Sequence, residues 1–185
     1  MDRYAVFGHP VAHSHSPWIH AQFAAQFGYQ QSYDAIDAPP ERFEEMLWDF
    51  GEMNGQGANV TLPLKEQAAM LCDELSDVAA RAGAVNTLIR LPDHRWRGDN
   101  TDGVGLMADL ARLGVPVAGQ RIVILGAGGA TRGILGPLLA AAPREIVIVN
   151  RTPERALQLA FESGGLGVVQ AWALDELASL GCTDV

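Results

Sequence analysis

Cysteine is scarce in this sequence: Cys72 and Cys182 stand far apart, with no CxxC pair and no His/Cys ligand spacing. The pattern argues against a disulfide framework and against a zinc site, so no metal is expected. Both thiols are expected to behave as small buried hydrophobes, which suits a reducing compartment. Positive charge is also in deficit, with 13 Lys and Arg against 22 Asp and Glu, a formal net charge of −9 and a pI near 4.9. Phosphate backbones are bound through clustered Lys and Arg, so nucleic acid is not an expected partner. An anionic ligand has to be captured by a local cluster working against the overall field. Apolar runs fall short of the ~20 residues that a membrane span needs, so no membrane partner is expected. Met1-Asp2-Arg3-Tyr4 leads straight into an apolar stretch, with no basic segment and signal region before it. The expected location is cytoplasmic.

What is present is a globular composition, 48% hydrophobic and 19% charged over 185 residues, enough for one ordinary domain or two small ones. Repeats and low-complexity stretches are absent. Tyr4 to Phe7 reads as a first strand closed by Gly8. Ser16-Pro17 before Trp18, Ile19, Phe23 and Phe27 predicts a helix with Ser16 as its N-cap. Gln31 to Ile36 predicts a second strand. Pro40 opens an acidic amphipathic helix with Phe43, Met46, Leu47 and Phe50 on one face. Gly57 to Thr61 is the next strand, and Pro63 begins another helix. Helical spacing returns at Leu75, Val78, Ala79 and Ala82; Val85 to Arg90 and Arg95 to Gly98 then predict a hairpin around Pro92-Asp93.

The pattern changes after Thr101. Asp102 to Leu113 reads as a helix stopped by Gly114, and Arg121 to Leu125 is a continuous apolar run, as in a parallel strand buried on both faces. A Gly-rich turn, a helix and a second buried strand at Glu145 to Val149 follow. Pro153 begins a further helix, Gly167 to Val169 is a third strand candidate, and Leu174 to Ala178 is helical. This order opens a doubly wound α/β domain. The boundary is placed near residue 101, with 1–101 and 102–185 as the two domains. A further strand and most of a second half are expected after Val185, so the chain reads as a truncated form. Its parallel sheet around Glu145 to Val149 is then expected to have an exposed edge that invites association.

The turn Gly126-Ala127-Gly128-Gly129-Ala130 lies between the first buried strand and its helix. Gly126 permits the tight turn and Gly128 lets the backbone approach a pyrophosphate, which sits at the helix N-terminus where unpaired N–H groups favour negative charge. Strict GxGxxG spacing fails because its third position is Thr131. At the end of the second strand stand Asn150-Arg151-Thr152, with Arg155 one turn on, where an NAD-binding fold keeps an acidic residue for the ribose hydroxyls. Cations and hydroxyls there fit a 2′-phosphate, and hence NADP. The bland alternative is a solvated arginine pair at a helix start, where cations are not favoured.

Three polar clusters occupy the first half. In His13-Ser14-His15-Ser16-Pro17, two hydroxyls at i and i+2 can converge on one carboxylate, although Ser16 could merely cap its helix. In Asn59-Val60-Thr61-Leu62-Pro63-Leu64-Lys65, Asn59 and Thr61 share a strand face that ends at the helix bearing Lys65; a lone lysine is ordinarily just solvated. Gly83-Ala84-Val85-Asn86-Thr87 pairs with Gly98-Asp99-Asn100-Thr101-Asp102-Gly103, in which Asn86 could be a turn residue and Asp102 a helix cap.

Taken together, HSxSP, NVTxPxK, GAVNT, DNTDG, GAGGAxR and NRTxxRA, in this order and at these spacings, resemble the shikimate dehydrogenase family over essentially the whole chain. The resemblance implies an α/β protein in which a small α/β substrate domain precedes a Rossmann-like, doubly wound parallel-sheet domain, here incomplete. It implies NADP-dependent interconversion of 3-dehydroshikimate and shikimate on the way to chorismate and the aromatic amino acids. It assigns the substrate carboxylate to Ser14 and Ser16, the ring hydroxyls to Thr61, Lys65, Asn86 and Asp102, and catalysis to the pair Lys65 and Asp102. Cofactor contacts fall to Gly126, Ala127, Gly128, Gly129, Ala130, Asn150, Arg151, Thr152 and Arg155. His13 and His15 receive no chemistry. The family's returning C-terminal helices have no counterpart here, so an inactive substrate-binding fragment is one alternative. Others are a quinate/shikimate enzyme that uses NAD and, more remotely, a methylene-tetrahydrofolate dehydrogenase. A homodimer is a candidate assembly.

Overall fold

The computed structural model describes residues 1–163, 169–179, 181 and 183–185. The chain divides into two compact units, Met1–Asn100 and Thr101–Val185. The first is a six-stranded mixed sheet with helices. Its strands are β1 (Asp2–Gly8), β2 (Gln31–Asp37), β3 (Gly55–Val60), β4 (Glu74–Leu75), β5 (Thr87–Arg90) and β6 (Trp96–Asp99), in the order β2-β1-β3-β5-β6-β4. β1 pairs in parallel with both β2 and β3, while β5 runs antiparallel to β3 and to β6. Four helices complete the unit: α1 (Ser16–Phe27), α2 (Phe43–Glu52), α3 (Lys65–Leu71) and α4 (Asp77–Ala82).

Alternation on the strands and the i, i+4, i+7 spacing on α2 build the core. Phe43, Leu47 and Phe50 of α2 meet Phe7 of β1, with Phe7 edge-on to Phe43 and Phe50 at ring-centroid distances of 5.6 and 5.5 Å. Ala58, Val60, Leu64, Val85, Leu88 and Trp96 extend the same cluster under the antiparallel strands. Truncating a buried phenylalanine in such a cluster costs about 3–5 kcal/mol.

Local starts and stops in the first unit differ from the sequence expectation, by a residue or two at β3, β5 and β6 and more informatively elsewhere. Ser16 is the first residue of α1 rather than its cap: His15 occupies the N-cap and no side chain caps the helix. The helix expected from Pro63 begins at Lys65, because Thr61 to Leu64 form a turn closed by the Leu64 N–H on the Thr61 carbonyl, 3.0 Å. Leu75 belongs to β4, which is drawn into the sheet by β6, so the helical spacing that included it starts only at Asp77. Pro40 opens a 3-10 turn, Pro40–Arg42, before α2.

The second unit is a parallel sheet of β7 (Arg121–Leu125), β8 (Glu145–Asn150) and β9 (Val169–Ala173), in that order. The connecting helices are α6 (Gly129–Ala140) and α7 (Pro153–Glu162), and α5 (Asp102–Arg112) precedes them. Ile122, Ile146 and Ile148 pack with Leu135, Leu138, Leu139, Ala156 and Leu159 on one face, and Val147 with Val149 face the other way. A strand buried on both faces is why β8 reads as an unbroken apolar run. Of the third strand expected at Gly167 to Val169, residues 167 and 168 lie outside the described residues, and β9 starts at Val169. Cys182 also lies outside them. The helix expected at Leu174 to Ala178 is a 3-10 helix, Leu174–Ser179.

β8 lies inside this sheet, so its edges are at β7 and β9. On the β7 side the Val185 N–H donates to the Arg121 carbonyl at 3.3 Å and the Val123 N–H to the Val185 carbonyl at 2.9 Å. That alternation is a parallel ladder. It places residues 184–185 beside the first strand of the unit, giving the order 3-2-1 followed by the next segment, as in a doubly wound dinucleotide-binding sheet.

Candidate active site

The first unit collects its polar motifs at the carboxyl ends of β1 and β3. Ser14 and Ser16 stand at the start of α1. The Ser16 N–H donates to Ser14 Oγ at 3.2 Å, and the Ser14 N–H to the Val11 carbonyl at 2.9 Å. Ser16 Oγ makes no cap bond, which removes the bland reading of that residue. Thr61 follows β3 and is held there by its N–H on the Phe7 carbonyl, 2.8 Å. Lys65 is the first residue of α3, and its carbonyl accepts from the Val85 N–H at 2.8 Å, joining it to the GAVNT segment.

Asn59 and Asn86 are linked directly. Asn59 Nδ2 donates to the Asn86 carbonyl at 3.4 Å, and Asn59 Oδ1 accepts from the Tyr33 hydroxyl of β2 at 2.6 Å. The Thr87 hydroxyl donates to Asn86 Oδ1 at 2.8 Å, which occupies the amide oxygen and casts the NH2 group as the donor. Asp99 braces the strand behind: its carboxylate accepts from the Ser76 hydroxyl at 2.5 Å and the Asn100 N–H at 2.8 Å, while its carbonyl accepts from the Asn86 N–H at 3.0 Å. Buried Asn100 donates to the Ala84 carbonyl at 2.9 Å.

Sequence reading missed Tyr33, Asn59, Thr87 and Asp99 as part of this network. Three of them lie inside the quoted motifs, where their neighbours attracted attention first. Tyr33 lies in no motif and had no signal beyond being a polar aromatic on a strand. Burial pushes its phenol up to about 12. His20 of α1 stacks on the Tyr33 ring, centroids 4.0 Å apart and planes 8° from parallel, and burial lowers its pKa.

Asp102 belongs to the second unit, where it is the first residue of α5, behind an N-cap at Thr101 that makes no side-chain cap bond. In that unit the turn from β7 to α6 is made by Gly126 at φ +113°, a conformation side chains disfavour, and by Gly128, the extended N-cap of α6. A Cβ on either glycine would meet nothing within 4 Å, so the backbone is open to a ligand there. The first turn of α6 carries no acidic residue. Thr131, third in the glycine spacing, is buried and donates its hydroxyl to the Gly126 carbonyl at 2.8 Å, so it tightens the turn from inside. Ala127 is buried, Gly129 opens the helix and Ala130 is exposed.

Beyond β8, Asn150 Nδ2 donates to the Thr152 carbonyl at 2.8 Å and curls the backbone into α7. Arg151 and Arg155 are exposed, and among the described residues neither guanidinium makes a hydrogen bond or ion pair. Arg132 does, with Glu162 at 2.6 Å. No group of His, Cys, Asp and Glu that could hold a metal ion occurs among the described residues, and no helix there is long and apolar enough to cross a membrane.

Comparison with known proteins gives the same grouping. Residues 6–88 match the family model "Shikimate dehydrogenase substrate binding domain", and residues 109–183 match "Shikimate / quinate 5-dehydrogenase". The chain is 53% identical over 182 residues to a shikimate dehydrogenase (NADP(+)) of Xanthomonas oryzae pv. oryzae, covering 98% of this chain and 64% of that protein. It is 54% identical over 178 residues to the one of Methylococcus capsulatus, with 96% and 64% covered. The chain thus spans about two thirds, 64%, of the length of these relatives. Among solved structures, shikimate 5-dehydrogenase of Thermus thermophilus in complex with NADP(H) and shikimate superimposes with a TM-score of 0.81 at 43% identity, over 91% of this chain and 62% of that one. Shikimate dehydrogenase of Aquifex aeolicus superimposes with a TM-score of 0.85 at 30% identity, over 97% and 66%. Two ordered family matches, identity above one half and a shared fold leave one conclusion: the chain belongs to the shikimate dehydrogenase family.

Proposed function

We propose that this protein reduces 3-dehydroshikimate to shikimate, reversibly, with NADPH. In this reading residues 1–101 bind substrate and carry catalysis, and residues 102–185 supply the cofactor-binding fold. The observation that supports it most is that NVTxPxK and GAVNT, remote in sequence, are joined with Asp99 of DNTDG in one hydrogen-bonded network in the first unit.

Ser14 and Ser16 hold the substrate carboxylate by hydroxyl donation, and Thr61 and Asn86 receive the ring hydroxyls. Bound cofactor supplies hydride to the ketone carbon. Charge then builds on the ketone oxygen, and the Lys65 ammonium both stabilises that charge and delivers the proton that completes the alcohol. Asp102 orients Lys65 and the adjacent hydroxyl; the chain carries it two residues beyond Asn100, which is anchored to Ala84 of the substrate segment. Lys65 is the chain's only lysine, so a sequence that otherwise uses arginine for every cation keeps at this position the one that can give up a proton.

The open backbone at Gly126 and Gly128, with Ala127, Gly129 and Ala130 around it, suits a pyrophosphate. Arg151 and Arg155, with Asn150 and Thr152, suit the 2′-phosphate that distinguishes NADP from NAD. The proposed working form is cytoplasmic and a homodimer, for which the open edge strands β2 and β9 offer unpaired backbone groups.

The test follows NADPH absorbance in the full-length protein with shikimate and NADP, beside shikimate with NAD and quinate with either cofactor. Rates that favour shikimate and NADP support the reading. Equal or better rates with quinate and NAD would replace it by the quinate/shikimate alternative, and no turnover with any pair would refute it.

A further inference from the structure

Asn86 stands where the chain bends between α4 and β5, and a row of polar residues ends on it. Thr87 is the first residue of β5, and its register partners are Asn59 on β3 and Asp99 on β6. Residues directly opposite in a sheet share a face, so Asn59, Thr87 and Asp99 form a row across neighbouring strands. Each of them meets a different group of Asn86. Asn59 Nδ2 donates to its carbonyl at 3.4 Å, beside the Val60 N–H at 2.9 Å. The Asp99 carbonyl accepts its N–H at 3.0 Å, and the Thr87 hydroxyl donates to its Oδ1 at 2.8 Å.

Side chains at i and i+1 do not meet on a regular strand, because consecutive residues point to opposite faces. The bend at Asn86 brings its amide to the side of Thr87. A carboxamide presents oxygen on one side and NH2 on the other, and a threonine hydroxyl can either donate or accept. The backbone N–H and carbonyl of Asn86 are held by the flanking strands, so what is left to decide is which way the amide faces. The Thr87 proton on Oδ1 decides it, and places both amide N–H groups on the far side. Turned over, the same amide would offer an acceptor there.

We propose that Thr87 is a positioning residue that sets the polarity of Asn86, so that the amide meets the substrate ring as a hydrogen-bond donor. The inference rests on the assignment of a ring hydroxyl to Asn86. A donor at that point selects a ligand atom with a lone pair directed at it, which a ring hydroxyl supplies. Because the amide is already turned, little rotamer freedom is lost on binding. A Thr87 that merely filled its place in β5 would be replaced without loss by valine, which suits a strand equally well.

Titration calorimetry with shikimate on the full-length protein compares wild type with Thr87→Val, which keeps the branched shape, and Thr87→Ser, which keeps the hydroxyl. Valine is expected to weaken binding about 10-fold, and serine to hold it within about 2-fold of wild type. Asn86→Ala alone and Asn86→Ala with Thr87→Val are expected to bind alike, since Thr87 acts only through Asn86. A deoxy analogue of shikimate that is insensitive to Asn86→Ala should be insensitive to Thr87→Val as well. In wild-type crystals with shikimate, neutron diffraction should place the Thr87 hydroxyl deuteron on Asn86 Oδ1, a readout that needs no variant to fold. Unchanged affinity in Thr87→Val, equal losses for valine and serine, strictly additive losses with Asn86→Ala, or a deuteron carried by Asn86 Nδ2 towards Thr87 Oγ1 would each overturn the proposal. Wild-type affinity in Asn86→Ala would instead show that the ring-hydroxyl assignment itself is wrong, and the inference falls with it.

Discussion

At residue 65 the choice between two cations carries chemical content. Thirteen residues are Lys or Arg, and Lys65 alone is lysine. An ammonium can serve as an acid, whereas a guanidinium stays protonated in proteins. Lys65→Ala is therefore expected to lower kcat by about 10²-fold or more, the range for a lost general acid. Lys65→Arg, which restores charge but not a transferable proton, should fail to rescue it in the same steady-state assay. At the other ligand, Arg151→Ala with Arg155→Ala should raise the KM for NADP while leaving use of NAD nearly unchanged, because only a 2′-phosphate receives those charge-assisted bonds. Equal losses for both cofactors would make the two arginines structural. Tyr33 offers a third residue-scale test. Its folded pKa lies above the ordinary value of 10, so the stability it contributes is complete below 10 and is lost as pH rises towards 12. Of the three tyrosines, one should ionise late in an absorbance titration of the native protein, and Tyr33→Phe should remove that late step.

Between elements, the close crossing of α5 and α6 depends on Gly103. A Cβ there would collide with the Pro137 ring and the Gly133 carbonyl of α6. Gly103→Ala is expected to destabilise the second unit by about 1–3 kcal/mol, as overpacking does, measured by chemical denaturation; an unchanged midpoint would mean the helices part without cost. Across α6 and α7, Arg132 holds the Glu162 carboxyl below its ordinary value. That contribution is present above the usual carboxylate range and is lost as pH falls through the lowered folded value. Glu162→Gln should therefore lower stability slightly at neutral pH, leave the acid limit almost unmoved, and so flatten the acid side of the profile. At the start of α1 the decisive event is negative: Ser16 does not cap its own helix, so its hydroxyl is not committed to the backbone there. Local pattern favours Ser before Pro as a cap, and the serine loop overrides it by placing His15 in that position.

Over the whole molecule, each unit has its own apolar cluster, around Phe7, Phe43 and Phe50 in one and around Ile146 and Ile148 in the other. Unfolding is accordingly expected to depart from a single two-state transition. In a calorimetric scan, Phe50→Ala should lower one component and Ile148→Ala the other; a common shift of one sharp peak would show a single cooperative block. The mixed sheet of the first unit was the least legible part of the architecture. β4 is two residues long and exists because β6 pairs with it, a contact that no local periodicity announces. The parallel strands were the most legible: Ile122 to Leu125 and Ile146 to Val149 are apolar throughout, and the second of these runs is buried on both its faces.

The sequence by itself determined the chemistry at hand. Motif order and spacing name the family, the hydroxyl pair and the single lysine are covalent facts, and the glycines between two apolar runs require a turn into a helix. Tertiary structure alone decided the partners. Which oxygen takes the Tyr33 proton and which amide meets the Asn86 carbonyl depend on residues distant along the chain, and neither the absence of a cap at Ser16 nor the bond by which Thr131 tightens the glycine turn is written in local pattern. Hydrogen bonds act over about 3 Å and are directional, so they are settled only when packing has brought remote strands into register. Periodicity records what is buried, but it carries no record of which buried polar group meets which.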